Sequence, residues 1–528
     1  MTQRDPGDPG DPGHATDPAA TPAAAPAAAP AAAPAAAPGR STRPTRRRPM
    51  LRQSRIWRGE ELTETLPMIE SLRHTPYRNP RVRQAAAEER EARASLDLAL
   101  RVGELMLRCG AGAPQVESSV VAVAAAAGLD NLEVDITLQS LLVQCSTGSG
   151  VPITMLRVVR SSTRDFARLT AVHEFVENLV AGSYDREAAA EQLLEIRRAP
   201  RFWPKWMVRG SLGLLAAAIA VMLGAGPVPA LVAGVSALFV EYAARVLGRG
   251  GLPDFYQCAI GGFMATTIAW GAFSLGAGGW LPVSSSDFAF IVAGGITVLL
   301  PGRTVASAFE DAISGYSVTG AGRMFAVFLT TAGIILGVAT GLSLTLALTS
   351  ALNLELASPS ILATRALNAP LALAVGGAFV VGVAGAVSLR SRRLLVLPCG
   401  VLCAVGVAVS LAVSHVDRLG FLAAAGLAAT VLGCGGRLLA LRMGAPAMVL
   451  VVPASYGLLP GLAIFRGLYE MVNGASASSG TLALQGGLTT LLGAMAALLA
   501  IAAGSVLGEF MAAPFDRRIV QKRRARRR

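Results

Sequence analysis

Residues 287–302 read DFAFIVAGGITVLLPG, and residues 446–461 read PAMVLVVPASYGLLPG. Both segments are apolar, both are shorter than the roughly 20 residues that a spanning helix needs, and both end in Leu-Leu-Pro-Gly. Proline removes a backbone N–H and glycine lets the chain turn, so each segment is predicted to end in a break of its helix. Lipid cannot bond the carbonyl groups that such a break frees, so these groups should face protein or a water-filled cavity.

The two breaks occupy matching positions, fourth and ninth, in a series of ten apolar runs. An offset of 159 residues relates Leu299 to Leu458. Each half of the series contains five runs, an odd number, so the second half should cross the membrane upside down. Inverted repeats with broken helices at matching positions are typical of secondary transporters, whose substrate site lies near the middle of the membrane. The runs cover residues 209–226, 229–247, 255–274, 287–301, 323–345, 369–389, 394–414, 420–440, 446–461 and 482–508.

The composition of the 528-residue chain agrees with a membrane protein: 53% of the residues are apolar and only 15% are charged. Soluble domains carry about 25% charged residues, so a string of soluble domains is excluded. The net charge of +13 gathers beside the apolar runs, which indicates membrane topology and not a nucleic-acid-binding face. The six cysteines include no CxxC pair and are interpreted as core residues, so neither a metal nor a cofactor is predicted.

The arginines between the runs predict the orientation of the chain. If residues 94–200 are cytoplasmic, nine arginines fall in inside connections and three in outside connections, in agreement with the positive-inside rule. Ten spans then also put the basic tail, residues 517–528, in the cytoplasm. The inside arginines are Arg245, Arg249, Arg303, Arg323, Arg390, Arg392, Arg393, Arg437 and Arg442, and the outside ones are Arg365, Arg418 and Arg466.

The predicted fold is therefore a polytopic α-helical membrane protein, with ten transmembrane helices as two inverted five-helix repeats preceded by a small cytoplasmic α+β domain. Alternating apolar residues predict strands over 132–145 and 151–160, joined by a turn at 147–150, with two helices on either side. Ser162-Thr163-Arg164-Asp165 resembles a capping box for the third helix, and the fourth should cover 185–198. The predicted divisions are a disordered Ala/Pro-rich tail (1–50), a polar linker (51–93), the cytoplasmic domain (94–200), two membrane repeats (201–368 and 369–516) and a basic cytoplasmic tail (517–528).

Polar residues are few in the membrane part, and each is a candidate for the substrate or proton pathway because ionisable groups are costly there. For each candidate a structural alternative stays open. Glu241 could merely pair with Arg245 one helical turn away, and the acids after the first break could be solvated loop residues. Intramembrane threonines often bond their own helix backbone. The candidates are Glu241, Arg245, Asp254, Thr266, Thr267, Pro301, Gly302, Glu310, Asp311, Pro460, Gly461 and Glu470, the last being the residue onto which the offset carries Asp311.

Enzyme motifs are missing from the sequence. The string HEFVE at His173 lacks the second histidine of a zinc-protease helix, and no Walker A string occurs. The chain is therefore not predicted to be an enzyme. Transport, if that is its function, would use an ion gradient or facilitated flow as its energy source.

Several short motifs, in this order and spacing, resemble the threonine/serine exporter family over roughly residues 94–512. They are GAGAPQVE at 110–117, VDIT at 134–137, the first Leu-Leu-Pro-Gly with Asp311 and Gly315 behind it, and Pro446, Pro453, the second Leu-Leu-Pro-Gly and Gly467. The resemblance implies export of threonine and serine from the cytoplasm through the plasma membrane of a bacterium, driven by the proton motive force. The implied partners are a small amino acid, protons and the lipid bilayer, without nucleic acid, and a homo-oligomer is left open.

Two other functions stay open from the sequence. Some split, two-subunit relatives are associated with dicarboxylate export, for which Arg245, Arg303 or helix N-termini would serve as ligands. A membrane scaffold or signalling protein, whose cytoplasmic domain binds a partner, is the alternative from another class.

Overall fold

The computed structural model describes residues 80–129, 131–146, 152–354, 370–415, 420–475 and 480–516. The predictions for the Ala/Pro-rich tail, for most of the polar linker, for the turn at 147–150 and for the basic tail fall outside these residues. Within them, the chain is mostly helical, with one small sheet near the N-terminus.

An α+β domain comes first. Its three strands form an antiparallel sheet in the order β1-β2-β3, with Val134 opposite Val143 and Cys145 opposite Ile153. Large side chains such as Met106, Leu141 and Phe166 are completely buried in its core. The elements are α1 (Pro80–Cys109), α2 (Ala113–Ala126), β1 (Leu132–Thr137), β2 (Ser140–Ser146), β3 (Pro152–Val158), α3 (Phe166–Val180) and α4 (Arg186–Arg198).

Two details of this domain differ from the sequence prediction. The segment 132–145 is not one strand but two, because the chain reverses at Leu138 and Gln139, where Leu138 adopts a positive φ of 51°. Helix α3 is capped by Asp165 and not by Ser162: the Asp165 carboxylate accepts the N–H of Arg168. The two-strand prediction was therefore wrong. Helices α2, α3 and α4 lie close to the predicted positions, but α1 begins at Pro80, within the segment 51–93 that was predicted to be a linker.

Twelve α-helices follow among the described residues, and every predicted apolar run overlaps at least one of them. They are α5 (Lys205–Met222), α6 (Pro227–Arg249), α7 (Asp254–Ala277), α8 (Asp287–Thr297), α9 (Gly302–Ile313), α10 (Ser317–Ala351), α11 (Leu371–Ser388), α12 (Arg393–Ser414), α13 (Phe421–Met443), α14 (Met448–Ser455), α15 (Gly461–Ala475) and α16 (Gly480–Ala512).

Among the described residues, nine helical segments are long and apolar enough to cross a membrane. The ninth run contributes one of the nine, because α14, a turn of 3-10 helix (Tyr456–Leu458) and α15 are counted together over Met448–Asn473. The fourth run contributes none, because α8 has only 11 residues. The structure thus supports nine spanning helices and a short apolar one in place of ten equivalent spans.

The two halves use the same packing scheme. The short helix α8 contacts α5, α6 and α7, and the short helix α14 contacts α11, α12 and α13. The third and the last long helix of each half, α7 with α10 and α13 with α16, meet through glycine. A Cβ atom at Gly337 would lie 1.9 Å from the Ala259 carbonyl oxygen, and one at Gly433 would lie 2.0 Å from that of Ser505. Backbones that approach so closely tolerate only glycine at the contact.

Candidate functional site

The two Leu-Leu-Pro-Gly breaks lie against each other. A Cβ atom at Gly302 would lie 3.3 Å from Leu459 and 3.8 Å from Tyr456. A Cβ atom at Gly461 would lie 3.2 Å from the Thr297 hydroxyl and 3.8 Å from Leu300. The offset of 159 residues carries Leu300 onto Leu459 and Thr297 onto Tyr456. The two sets of contacts are therefore equivalent: the neighbours of Gly461 in the first half correspond to the neighbours of Gly302 in the second half.

Each break separates two helices, as the sequence predicts. Helix α8 ends at Thr297, Pro301 is the N-cap residue of α9, and α9 begins at Gly302. In the second half, the 3-10 turn ends at Leu458 and α15 begins at Gly461, while the Pro460 carbonyl accepts the N–H of Ile464. The first N–H groups of α9 and α15 have no acceptor within their own helices, so two helix N-termini are directed toward the contact between the breaks.

A cavity of about 460 Å³, called the central cavity below, lies beside the first break. Its lining brings together three of the predicted site residues, Glu241, Asp254 and Pro301. Its volume falls within the range of small-molecule sites, roughly 300–1,000 Å³. Six hydroxyl side chains, one arginine and one amide complete the polar part of the wall, namely Ser162, Arg164, Gln257, Thr297, Thr304, Thr330, Ser388 and Tyr456.

Glu241 and Arg245 share a face of α6 and form an ion pair of 2.5 Å between Oε1 and Nη2. Both side chains keep part of their surface exposed, 22% for Glu241 and 28% for Arg245. Asp254 begins α7 on the other side of the α6–α7 connection and accepts a hydrogen bond of 3.3 Å from Gln257. The cavity therefore presents two carboxylates, of which one has an arginine partner.

Thr266 and Thr267 do not line this cavity. The Thr266 hydroxyl donates to the Gly262 carbonyl at 2.9 Å, and the Thr267 hydroxyl donates to that of Phe263 at 3.0 Å. Thr266 is completely buried between α7 and α10, where a Cβ atom at Gly341 would lie 2.8 Å from it. Both threonines thus bond their own helix, which is the structural alternative considered for them.

Asp311 lies at the contact between α9 and the α+β domain, away from the central cavity. Its carboxylate is completely buried, pairs with Arg323 at 2.5 Å, and accepts the backbone N–H of Ala113 at 2.7 Å. Ala113 is the first residue of α2, so Asp311 caps a helix of the other domain. Burial raises the pKa of Asp311 above its ordinary value, against the opposing effects of Arg323 and the Ala113 N–H.

Glu310 lies beside Asp311 and faces a second set of charged groups. A Cβ atom at Gly112 would lie 2.9 Å from its Oε2 atom. Arg437 of α13 and Glu509 of α16 are close enough to interact with it electrostatically. Burial, followed by the charge of Asp311, raises the pKa of Glu310 from 4.5 to about 7. The sequence interpretation missed Glu509, because the tenth apolar run ends one residue before it.

Glu470, the counterpart of Asp311, has a more exposed position on α15. It pairs with Arg466 of the same helix at 3.3 Å and accepts the Thr490 hydroxyl of α16 at 3.0 Å. Asp311 likewise bonds the helix that follows its own, through Arg323 of α10. The offset therefore relates two carboxylates with parallel partners, although only Asp311 contacts the α+β domain.

The α+β domain is bonded to two connections of the membrane part. At the α9–α10 connection, the Thr319 hydroxyl accepts the Leu138 N–H at 3.1 Å and donates to the Ile136 carbonyl at 2.9 Å. Tyr316 donates its hydroxyl to Glu117. At the α11–α12 connection, the carbonyls of Leu389, Arg390 and Ser391 accept the N–H groups of Phe166, Ala167 and Trp203 respectively.

Comparison with known proteins agrees with the resemblance seen in the sequence. Residues 97–345 match the family model described as "Putative threonine/serine exporter", and residues 374–511 match a second one described as "Threonine/Serine exporter, ThrE". A "Probable threonine/serine exporter" of Mycobacterium tuberculosis is 31% identical over 433 residues, which cover 81% of this chain and 78% of that protein. A "Threonine/serine exporter" of Corynebacterium glutamicum is 32% identical over 419 residues, which cover 79% and 82%.

No solved structure matches the chain. The two relatives, each above 30% identity and each covered over more than three quarters of its length, are sufficient to assign the family. The chain therefore belongs to the threonine/serine exporter family.

Proposed function

We propose that this chain exports threonine and serine from the cytoplasm of a bacterium across its plasma membrane. The names of the relatives suggest the substrates, and the observation that carries the proposal is the central cavity beside the first break. It combines carboxylates, hydroxyl groups and a helix N-terminus in one cavity of the membrane part.

A hydroxy amino acid matches the chemistry of this wall. The ammonium group of the substrate would bind Glu241 or Asp254, and its carboxylate would bind the N-terminus of α9, where the helix dipole favours negative charge. The substrate hydroxyl would bond Thr297, Thr304 or Tyr456. The ammonium and carboxylate groups of the substrate then each have a partner of opposite charge, and its hydroxyl group has a hydrogen-bond partner.

A dicarboxylate matches it less well. Two carboxylates line the cavity and would repel a dianion, and Arg245, one of the ligands expected for a dicarboxylate, is already paired with Glu241. We therefore expect serine, and not succinate, to compete with threonine for export.

We propose further that the membrane part is an inverted repeat of ten spans, with α8–α9 and α14–α15 as the broken members. Three features support this: the reciprocal contacts of Gly302 and Gly461, the equivalent positions of α8 and α14 among their neighbours, and the glycine contacts at Gly337 and Gly433. An inverted repeat would let the site open alternately to the two sides of the membrane.

The orientation proposed from the arginines, with both chain ends in the cytoplasm, agrees with the contacts of the α+β domain. This domain bonds the α9–α10 and α11–α12 connections, both of which the arginine distribution assigns to the inside. Asp516, at the end of the described chain, binds Arg437, another inside arginine, at 2.5 and 3.2 Å.

Export is proposed to be driven by the proton motive force, with Glu310 as the group that carries the proton. Its carboxyl group lies on the helix that follows the first break and interacts electrostatically with Glu509 and Arg437. A change in its charge would therefore change the electrostatic interactions that α9 makes with α13 and α16.

Inside-out membrane vesicles, in which export appears as uptake, test the proposed function. Labelled threonine should accumulate under an imposed proton gradient, unlabelled serine should compete, and an uncoupler should stop the accumulation. Competition by succinate alone would support dicarboxylate export. Absence of solute flux under any gradient would contradict transport and support the membrane scaffold.

A further inference from the structure

A second cavity, of about 360 Å³, lies between the α+β domain and the membrane part. The domain contributes one wall, which includes Gln139, Arg160 and Ser161. Helices α9 and α10 contribute the other, which includes Ser307 and Arg323. We refer to it as the outer cavity.

The outer and central cavities share two lining residues. Ser162 of the domain and Thr304 of α9 border both. The domain segment 159–165 therefore runs from one cavity to the other, with Arg160 at the outer cavity, Ser162 between the two, and Arg164 at the central cavity. A solute that passes from the outer to the central cavity would follow this segment.

The segment is fixed at both ends and at its centre. Val159 donates its N–H to the Gln139 carbonyl at 2.7 Å, and Thr163 donates its N–H to the Arg108 carbonyl at 2.6 Å. Asp165 caps α3, whose first N–H groups are bonded to the α11–α12 connection. These bonds hold the backbone so that Arg160 and Arg164 border the two cavities.

Arg160 and Arg164 differ in their partners from Arg323, the other arginine that lines the outer cavity. Arg323 is bound to Asp311 at 2.5 Å. In the part of the chain that the structure describes, neither Arg160 nor Arg164 forms an ion pair with a carboxylate, and both are exposed. A guanidinium group that has no carboxylate partner and borders a polar cavity suits the carboxylate of a small solute, which it can bind with two parallel hydrogen bonds.

We propose that the α+β domain forms one wall of the substrate's route, and that Arg160 and then Arg164 bind the substrate carboxylate on its way to the central cavity. The inference rests on the proposed function, which it extends from the membrane part to the domain. It assigns the domain a direct role in substrate selection, in addition to its contacts with α9–α10 and α11–α12.

Threonine uptake by inside-out vesicles tests the two arginines through Arg160→Gln and Arg164→Gln. The matched control is Arg93→Gln, because Arg93 is exposed on α1 and pairs with Glu89 of the same helix at 2.7 Å. Each test variant should raise the half-saturating threonine concentration about tenfold, with a maximal rate within about twofold of the wild type, as the loss of one charge-assisted hydrogen bond predicts.

A competitor without a carboxylate separates binding from a structural effect. Threonine amide should compete less well than threonine in the wild type. The ratio of their half-inhibitory concentrations, which measures the preference for the carboxylate, should fall about tenfold in both test variants. A variant that only disturbs folding would lower the maximal rate and leave the preference unchanged. Half-saturation and preference within twofold of the wild type in both variants would overturn the proposal.

Thiol labelling tests the route itself. In a cysteine-free background that still transports, Ser162→Cys should react with a maleimide added to inside-out vesicles, threonine should slow the reaction, and the labelled protein should stop transporting. Ser183→Cys, in the exposed α3–α4 connection, should react without either effect. Labelling of Ser162→Cys that threonine does not slow would overturn the route. Absence of threonine uptake by the wild type would overturn the proposed function and this inference with it.

Discussion

The backbone N–H of Ala113 donates to the carboxylate of Asp311 at 2.7 Å, across 198 residues of sequence. One carboxylate thus caps α2 of the α+β domain and binds Arg323 of α10. Helix α9 begins at the first break, where it borders the central cavity, and near its other end it is bonded to the domain through Asp311. A displacement of the domain would act directly on the break.

Asp311→Asn should destabilise the protein. The substitution removes the charge opposite Arg323 and leaves the guanidinium group buried without its partner, which costs about 3 kcal/mol. Thermal unfolding in detergent should show a lower Tm, and threonine efflux should fall. The control is Glu470→Gln, because the Glu470–Arg466 pair is partly exposed and worth at most about 1 kcal/mol. Equal shifts of Tm in the two variants would contradict the role given to Asp311.

Glu241→Gln should reduce transport strongly and change the stability of the protein little. The Glu241–Arg245 pair is partly exposed, so the free energy of unfolding should change by less than about 1 kcal/mol. Transport should fall at least tenfold, because a neutral amide binds an ammonium group more weakly than a carboxylate does. The measurements are Tm and threonine uptake on the same preparation. Uptake at the wild-type rate would remove Glu241 from the substrate site.

Gly302→Ala and Gly461→Ala should have matching effects on transport. Each added Cβ atom would meet a neighbour across the contact between the breaks, Leu459 at 3.3 Å or the Thr297 hydroxyl at 3.2 Å, and would push the breaks apart. We expect both variants to lower the rate of uptake by a similar factor. Gly376→Ala is the control, because no atom lies within 4 Å of its added Cβ and alanine favours the helix. Loss of transport in only one variant would contradict a symmetric contact.

The features of the fold that depend on local chemistry could be predicted from the sequence. In the described part of the chain, the Pro-Gly dipeptides at 301–302 and 460–461 each lie between two helices, so both breaks are found at the expected residues. The reversal at Leu138 was missed because it lacks the usual Asn-Gly signal. One trace of it is present: the apolar positions shift from even numbers, ending at Leu138, to odd numbers, beginning at Leu141.

In the site, too, contacts within one helix could be predicted from the sequence, whereas contacts between distant segments could not. The Glu241–Arg245 pair follows from their spacing of four residues on one helix. The partners of Asp311 and Glu310 do not, because Ala113 and Glu509 lie about 200 residues away on either side. Only packing of the α+β domain and of α16 against α9 brings them together. The outer cavity is likewise formed by two parts that are far apart in the sequence, and no pattern within either part indicates it.

Transport should depend on pH through Glu310. Its pKa of about 7 lies above the ordinary 4.5, because burial and Asp311 disfavour the charged form. The charged groups that face it are Asp311, Arg323, Arg437 and Glu509. Between pH 6 and pH 8 the carboxyl group changes from mostly protonated to mostly ionised, so threonine uptake by the wild type should change over this range. Glu310→Gln should reduce the change, and Glu89→Gln, at the partly exposed start of α1, should not.

The same shift predicts how stability depends on pH. The folded protein holds the Glu310 proton up to about pH 7, whereas the unfolded chain releases it near pH 4.5, so the folded state binds more protons between these values. The contribution of Glu310 to the free energy of unfolding is therefore fully present below pH 4.5 and is lost as the pH rises to about 7. Glu310→Gln cannot lose a proton, so its Tm relative to the wild type should rise from pH 5 to pH 8. A difference in Tm that stays constant over this range would show that Glu310 does not titrate there, and would exclude it as the proton carrier.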